Sequence, residues 1–170
     1  MNAEKSKAVL LLGSNSGDRV HYINKALSRM EKLIGNTVLK SSLYESSPWG
    51  FAEQPDFLNQ VAVIKTPLKP VELLKKLKEI EKEIGRTTSE KWKQRIIDID
   101  ILFYDEIIFE SEELTIPHPM LHERKFTLVP LIEIMPGFIH PVLKKTISEL
   151  IISCDDTGEV RKITDDFIKA

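Results

Sequence analysis

The sequence predicts an α+β fold whose core elements run β-α-β-β-α-β, with a hairpin and helices appended at the C-terminal end. Two observations carry this reading. Apolar runs of strand length recur along the first hundred residues, and two stretches between them repeat apolar residues every three or four positions. Each of those stretches stops at a glycine. The order is the split-βαβ, or ferredoxin-like, order.

The elements follow in turn. Residues 7–13 (KAVLLLG) are a short apolar run, read as a buried strand, with Gly13 at a tight strand-to-helix turn. Ser14-Asn15-Ser16-Gly17-Asp18 supplies that turn and its capping side chains. Val20, Ile23, Leu27, Met30 and Ile34 then mark a helix, which Gly35-Asn36 stops. Residues 37–45 (TVLKSSLYE) read as one strand, 47–55 (SPWGFAEQP) as an irregular loop, and 57–65 (FLNQVAVIK) as the next strand. Pro70 suits the first turn of a second helix, with Leu73, Leu74, Leu77, Ile80 and Ile84 as its stripe and Gly85 at its end. Residues 86–95 (RTTSEKWKQR) are polar without a period and read as a movable loop. Residues 96–103 (IIDIDILF) read as the last core strand. From Tyr104 onward the chain suggests a short hairpin, a loop around Pro117-His118-Pro119, and helices near 124–134 and 145–152. All of residues 1–170 are expected to form one domain, with a core over about 7–152 and a tail over 153–170 that carries little pattern.

Composition narrows the class. With 42% hydrophobic and 29% charged residues, the 170-residue chain has the balance of a globular domain able to bury a core. Its 24 Lys+Arg against 26 Asp+Glu leave a net charge of −2, with no basic excess for binding nucleic acid through bulk charge. The single cysteine, Cys154, excludes an intrachain disulfide and a Cys-rich zinc site. The first apolar run is too short for a signal peptide, and no stretch nears the roughly 18 apolar residues of a membrane span. A cytoplasmic protein without membrane contact is expected.

Five features could carry chemistry. Side chains alternate along a strand. Ile97, Ile99, Ile101 and Phe103 are therefore expected on one face, and Ile96, Asp98, Asp100 and Leu102 on the other. Two carboxylates one strand repeat apart repel unless a cation sits between them. Either Mg²⁺ carrying substrate phosphates or a neighbouring Arg or Lys would do. The loop before this strand gathers Arg86, Lys91, Lys93 and Arg95 around Trp92, which suits phosphate or a solvated surface. Glu81 falls inside the second helix's apolar stripe, so it needs a partner, a site or a path to solvent. Phe57 and Asn59, at i and i+2, would set a ring beside an amide, the combination that holds a flat hydrogen-bonding heterocycle. Both also fit a core ring and a strand-end amide. His118 lies between two prolines, with His122, Arg124 and Phe126 close behind. No G-x-x-x-x-G-K-[ST] or G-x-G-x-x-G loop is present.

These stretches occur together in a recognisable order: LLGSN, SPWGFAEQPDFLN, EIGR, R-x-x-D-I-D-I and TIPHPMLHERKFTLVPL. Over about residues 8–152 the chain resembles the 6-hydroxymethyl-7,8-dihydropterin pyrophosphokinases of folate biosynthesis. The resemblance implies a ferredoxin-like α+β fold and transfer of the terminal diphosphate of ATP to the pterin's hydroxymethyl oxygen, releasing AMP. It assigns two Mg²⁺ ions to Asp98 and Asp100, and assistance of the transfer to Arg86 and Arg95. It places Phe57 and Phe126 on either side of the pterin, Asn59 on its edge, and Ser46, Ser47, Pro48 and Trp49 beside it. Trp92, His118 and Arg124 match ATP-side positions, and Lys78, Glu81, Ile101 and Thr115 fall near the ATP region. The chain departs from the family pattern at Lys93-Gln94, where a small residue and often a proline stand, and at Pro119, where an aromatic can occur. Small-molecule substrates and a monomer or weak homodimer are expected. The competing readings are a catalytically weak or non-catalytic nucleotide-binding module, a nucleotidyltransferase and an RNA-recognition module. The length of chain between Ser14 and Asp98 opposes the nucleotidyltransferase. Asp98 and Asp100 on the central face oppose the RNA module.

Overall fold

The computed structural model describes residues 4–48, 53–85 and 95–164. In chain order its elements are β1 (Ser6–Ser14), α1 (Arg19–Leu33), β2 (Asn36–Lys40), β3 (Tyr44–Ser46), β4 (Phe57–Thr66), α2 (Pro70–Ile84), β5 (Asp98–Tyr104), β6 (Phe109–Glu110), β7 (Thr115–Ile116), α3 (Lys125–Ile134), α4 (Ile147–Ile152) and β8 (Val160–Lys162). A single turn of 3₁₀ helix, Leu121–Glu123, precedes α3.

β1 lies between β4 and β5, antiparallel to both. The main sheet runs β5-β1-β4-β3-β8, with β2 also paired to β4. This is the sheet the split-βαβ order predicts, extended by one strand. Its two faces are separate cores. Leu10, Leu12, Leu58, Ala62, Ile64, Ile99 and Ile101 pack against α1 and α2. Val9, Leu11, Val61, Val63, Leu102 and Phe103 pack against α3 and α4. Full burial of such side chains contributes roughly 1.5–3 kcal/mol each, so the sheet is held from both sides.

Local chemistry explains the helix ends. The Asp18 side chain accepts from His21 N at 3.1 Å and caps α1. Glu72 accepts from Lys69 N at 2.9 Å at the start of α2, where Pro70 is the first helical residue. Thr146 caps α4, which therefore begins at Ile147 rather than at 145. Among the described residues, no helix is long and apolar enough to cross a membrane.

Further details differ from the sequence expectation. The strand expected over 37–45 is two strands, β2 and β3, both on β4. Between them Ser41 is bound to Val61 through both its main chain and its hydroxyl, which breaks the run. The strand expected from residue 96 begins at Asp98, and Ile96 packs with the α1–α2 core. Within β5 the register shifts opposite Val9/Leu10, so Leu102 is an extra residue. That bulge puts Phe103 beside Leu102 on the α3–α4 face, not with Ile97, Ile99 and Ile101. Gly13 lies inside β1 and not in a turn. Beyond the expected core, β8 joins the sheet beside β3, and Ile163 enters the core at 8% exposure.

β3 is fixed from behind by charge. Glu45, 7% exposed, pairs with Arg19 of α1 at 2.6 Å and with Arg161 of β8. Burial would raise its pKa, but the hydrogen bonds from Arg161 and Arg19 outweigh it and hold the carboxyl below its ordinary 4.5. Glu45→Gln is expected to cost about 1–2 kcal/mol near neutral pH, a buried-pair loss discounted for the exposed Arg161. A carboxyl depressed in the folded state stabilises above its unfolded value and loses that contribution as pH falls through the folded one. The deficit should therefore shrink below about pH 4.5. Urea melts of both proteins across that range test this; an unchanged deficit would contradict it.

Candidate active site

The register sets one row of residues side by side across β5, β1, β4 and β3. Asp98 pairs with Gly13, Gly13 with Asn59, and Asn59 with Tyr44. Cross-strand partners share a face. Asp100, paired with Leu11, is on that face one repeat further in, and Phe57, paired with Ser46, is one repeat further out. The floor is thus two carboxylates from β5, a glycine from β1, a ring and an amide from β4, and a serine from β3. A methyl on Gly13 would stand 3.4 Å from Asn59 Oδ1 and 3.7 Å from the Phe57 ring. Glycine there keeps the middle of the floor open.

On the acidic side a cleft of about 370 Å³ is lined by Lys78, Glu81, Arg95, Asp98, Asp100, Ile101, Glu112, Glu113, Thr115 and His118, among others. Eight of the residues singled out in the sequence come together here. Arg95 Nη1 is 2.9 Å from Asp98 Oδ2, so the cation expected beside the carboxylates is in part a neighbouring arginine. Asp100 is pushed up to about 7, first by burial and then by Asp98, with Arg124 opposing. Glu81 has a partner: its Oε1 accepts from Ile99 N at 2.8 Å and closes the free edge of β5. Ile101 is buried, so it can offer only main-chain groups to a ligand.

His118 is held to the same edge by its N–H, which donates to Leu102 O at 3.0 Å. Its Nδ1 accepts from Met120 N at 3.1 Å. Burial lowers its pKa to about 4, helped by Arg124 and opposed by Asp98. The imidazole is therefore neutral near pH 7 with its proton on Nε2, a donor for an anionic oxygen. Burial also lowers the pKa of Arg124, against Asp100 and Asp98. The Arg124 guanidinium lies 5.7 Å from the centre of the Phe126 ring.

On the other side a second cleft, about 350 Å³, is lined by Ser46, Ser47, Pro48, Phe126 and residues 156–160. Asn59 Nδ2 donates to Ser46 Oγ at 2.8 Å and to Tyr44 O at 3.4 Å, which fixes the amide and turns its oxygen toward Gly13. Arg124 joins the two sides, through its charge with Asp98 and Asp100 and through its stacking on Phe126. Arg86, Trp92 and Trp49 lie outside the described residues.

Two contributors escape sequence reasoning. Asn15, 2% exposed, accepts from Arg95 N at 2.6 Å through Oδ1 and donates through Nδ2 to Gln54 Oε1 at 3.2 Å and Pro55 O at 3.3 Å. It ties the segment leading into β4 to the one leading into β5. The only local signal was a polar residue just after an apolar strand, and a capping turn explains that equally well. The second is the C-terminal wall of residues 156–160, which no pattern announces.

A divalent cation fits the acidic cleft. The lining carries five carboxylates against Lys78 and Arg95, a poor setting for a polyphosphate alone. Among the described residues no group of three or more His, Cys, Asp or Glu could cage an ion. Mg²⁺ needs only one or two carboxylates when substrate oxygens complete its shell.

Comparison with known proteins gives the family. Residues 9–136 match the model of the 7,8-dihydro-6-hydroxymethylpterin-pyrophosphokinase family. The chain is 47% identical over 138 residues to the 2-amino-4-hydroxy-6-hydroxymethyldihydropteridine pyrophosphokinase of Aquifex aeolicus, covering 81% of this chain and 86% of that one. It is 40% identical over 164 residues to the folic acid synthesis protein FOL1 of Dictyostelium discoideum, covering 95% of this chain but 24% of that protein. In structure it is similar to a Plasmodium falciparum HPPK-DHPS chain, with a TM-score of 0.72 at 21% identity, over 86% of this chain and 43% of that one. That likeness concerns the fold. From the family model's match over residues 9–136 and the 47% identity to a named relative, the chain belongs to the 7,8-dihydro-6-hydroxymethylpterin-pyrophosphokinase family.

Proposed function

We propose that the chain carries out its family's reaction with the nucleotide in the acidic cleft and the pterin across the Phe57–Asn59 floor. The hydroxymethyl oxygen of 6-hydroxymethyl-7,8-dihydropterin forms a bond to the β-phosphorus of ATP. The bond between that phosphorus and the α–β bridging oxygen breaks, AMP leaves, and the hydroxyl proton is released. The product is the pterin diphosphate, an intermediate of folate synthesis. The observation that carries this arrangement is the single sheet face shared by Asp98, Asp100, Asn59 and Phe57. It sets acceptor and donor sites side by side.

Transfer of this kind requires placement and charge neutralisation more than covalent help. Asp98 and Asp100 would hold Mg²⁺, two ions in our reading, and these would neutralise and orient the phosphates. Lys78, Arg95 and Arg124 add fixed positive charge around the same oxygens, and neutral His118 offers its Nε2–H. Phe57 and Phe126 would cover the pterin's faces while Asn59 and the main chain of residues 46–48 read its edge. Thr115 and the main chain of Ile101 would meet the nucleotide's far end. Trp49, Arg86 and Trp92 join this assignment by their sequence positions alone. We read the protein as a cytoplasmic monomer or weak homodimer acting on small molecules. Support comes from the single cysteine and the absence of a basic excess.

The charge arrangement makes three expectations testable. Asp98→Ala and Asp100→Asn should each lower kcat by at least about a hundredfold, the scale of a lost transition-state contact. Asp100 is raised in the folded state, so its ionisation opposes folding as pH rises from the ordinary 3.8 toward about 7. Without Mg²⁺, Asp100→Asn should therefore melt at or above the wild-type temperature near pH 8. Near-normal turnover in either variant would remove the metal assignment. Arg95→Ala should lower kcat strongly while changing the pterin KM less than about threefold, as for a group acting in the transition state. A defect confined to KM in steady-state kinetics would contradict that role.

A further inference from the structure

The second cleft is completed by chain that lies beyond the family match, which ends at residue 136. Helix α3 begins at Lys125, and its cap residue Arg124 provides no side-chain bond to the helix. The missing acceptor arrives from thirty-one residues downstream: Asp156 Oδ2 accepts from Lys125 N at 2.9 Å. Its Oδ1 accepts from Gly158 N at 2.8 Å and shapes the turn that walls the cleft. That turn is pressed on the opposite wall. A methyl on Gly158 would stand 3.1 Å from Asp156 Oδ1 and 3.3 Å from Ser47 Oγ, and Ser47 N donates to Glu159 O at 3.3 Å.

We propose that Asp156 is a positioning residue for the pterin: its carboxylate sets the gap between Phe126 on α3 and the Ser46–Pro48 wall. Lys125 is the residue between Arg124 and Phe126, so the bond to its N–H fixes the main chain that aims both side chains. The carboxylate also suits the positive end of the helix dipole. One side chain thus ties both walls of the cleft, and the strand behind it is anchored, with Ile163 N bound to Leu43 O at 2.8 Å. Without that tie the first turn of α3 and the 156–159 turn can separate. A flat ring lying on Phe126 with its edge at the 46–48 main chain then binds more weakly, while Asp98, Asp100, Arg95 and His118 in the acidic cleft keep their own supports. This inference rests on the assignment of Phe126 and the main chain of residues 46–48 to the pterin.

The test is steady-state kinetics on full-length Asp156→Ala, Asp156→Asn, Gly158→Ala and Phe126→Ala, with thermal melts. Asp156→Ala should raise the pterin KM about tenfold, the worth of one lost capping bond. The ATP KM should rise less than about threefold, because Arg124 is only one of the cations assigned to the phosphates, and kcat should stay within about threefold. Asp156→Asn keeps an acceptor for Lys125 N and should recover most of the loss. Gly158→Ala, which pushes on Ser47 directly, should also raise the pterin KM and serves if the alanine variant fails to fold. A lower melting temperature with both KM values unchanged would overturn the proposal and leave Asp156 structural. If Phe126→Ala raises the pterin KM and neither Asp156→Ala nor Gly158→Ala does, the inference fails alone. If Phe126→Ala has no effect, the pterin assignment fails and the proposal with it.

Discussion

Everything at the site depends on the register of β1 against its two neighbours. Gly13 stands opposite Asp98 on one side and Asn59 on the other. Because side chains alternate, a slip of one residue on either side would send Asp98 and Asp100, or Phe57 and Asn59, into the α1–α2 core. The apolar residues enforce the register. Leu10 and Leu12 must face one helical layer, and Val9 and Leu11 the other. The energy of two hydrophobic cores is thereby converted into the placement of four polar and aromatic groups on one end of a face.

The same packing creates an electrostatic imbalance that the apo fold carries. Burial and the neighbouring Asp98 raise the cost of ionising Asp100, while Arg124 and Arg95 relieve it only in part. Such a site is held above its minimum by the fold, and in the proposed reaction a polyphosphate arriving with divalent cations would relieve it. His118 fits this logic. A charged imidazole there would meet Arg124, and the surroundings keep it neutral, a donor without a net charge.

Much of this was legible in the sequence, and the residues show why. D-I-D inside an apolar run fixes two carboxylates on one face whatever the fold, and F-L-N does the same for a ring and an amide. The β-α-β-β-α-β order follows from periods and stops that are local. What escaped was nonlocal or silent. The bulge at Leu102 turns Phe103 over, yet the run I-L-F-Y is apolar on either face and leaves no trace of it. The break at Ser41 is made by its bonds to Val61, twenty residues away. Asn15 reaches partners 39, 40 and 80 residues distant, so its own neighbourhood says only that it ends a strand. β8 has three residues and two charges, too short for a period, and gains its place from Glu45 and Ile163.

The measurement that bears most directly on the central claim is product analysis after mixing the protein with ATP, Mg²⁺ and 6-hydroxymethyl-7,8-dihydropterin. AMP and pterin diphosphate in equal amounts are expected, because a shared sheet face that sets the acceptor oxygen beside the nucleotide cleft brings it to the β-phosphorus. ADP with a pterin monophosphate would contradict transfer of the diphosphate as a unit. AMP without a pterin product, or no AMP from folded protein supplied with Mg²⁺, would contradict the side-by-side placement of the two substrates.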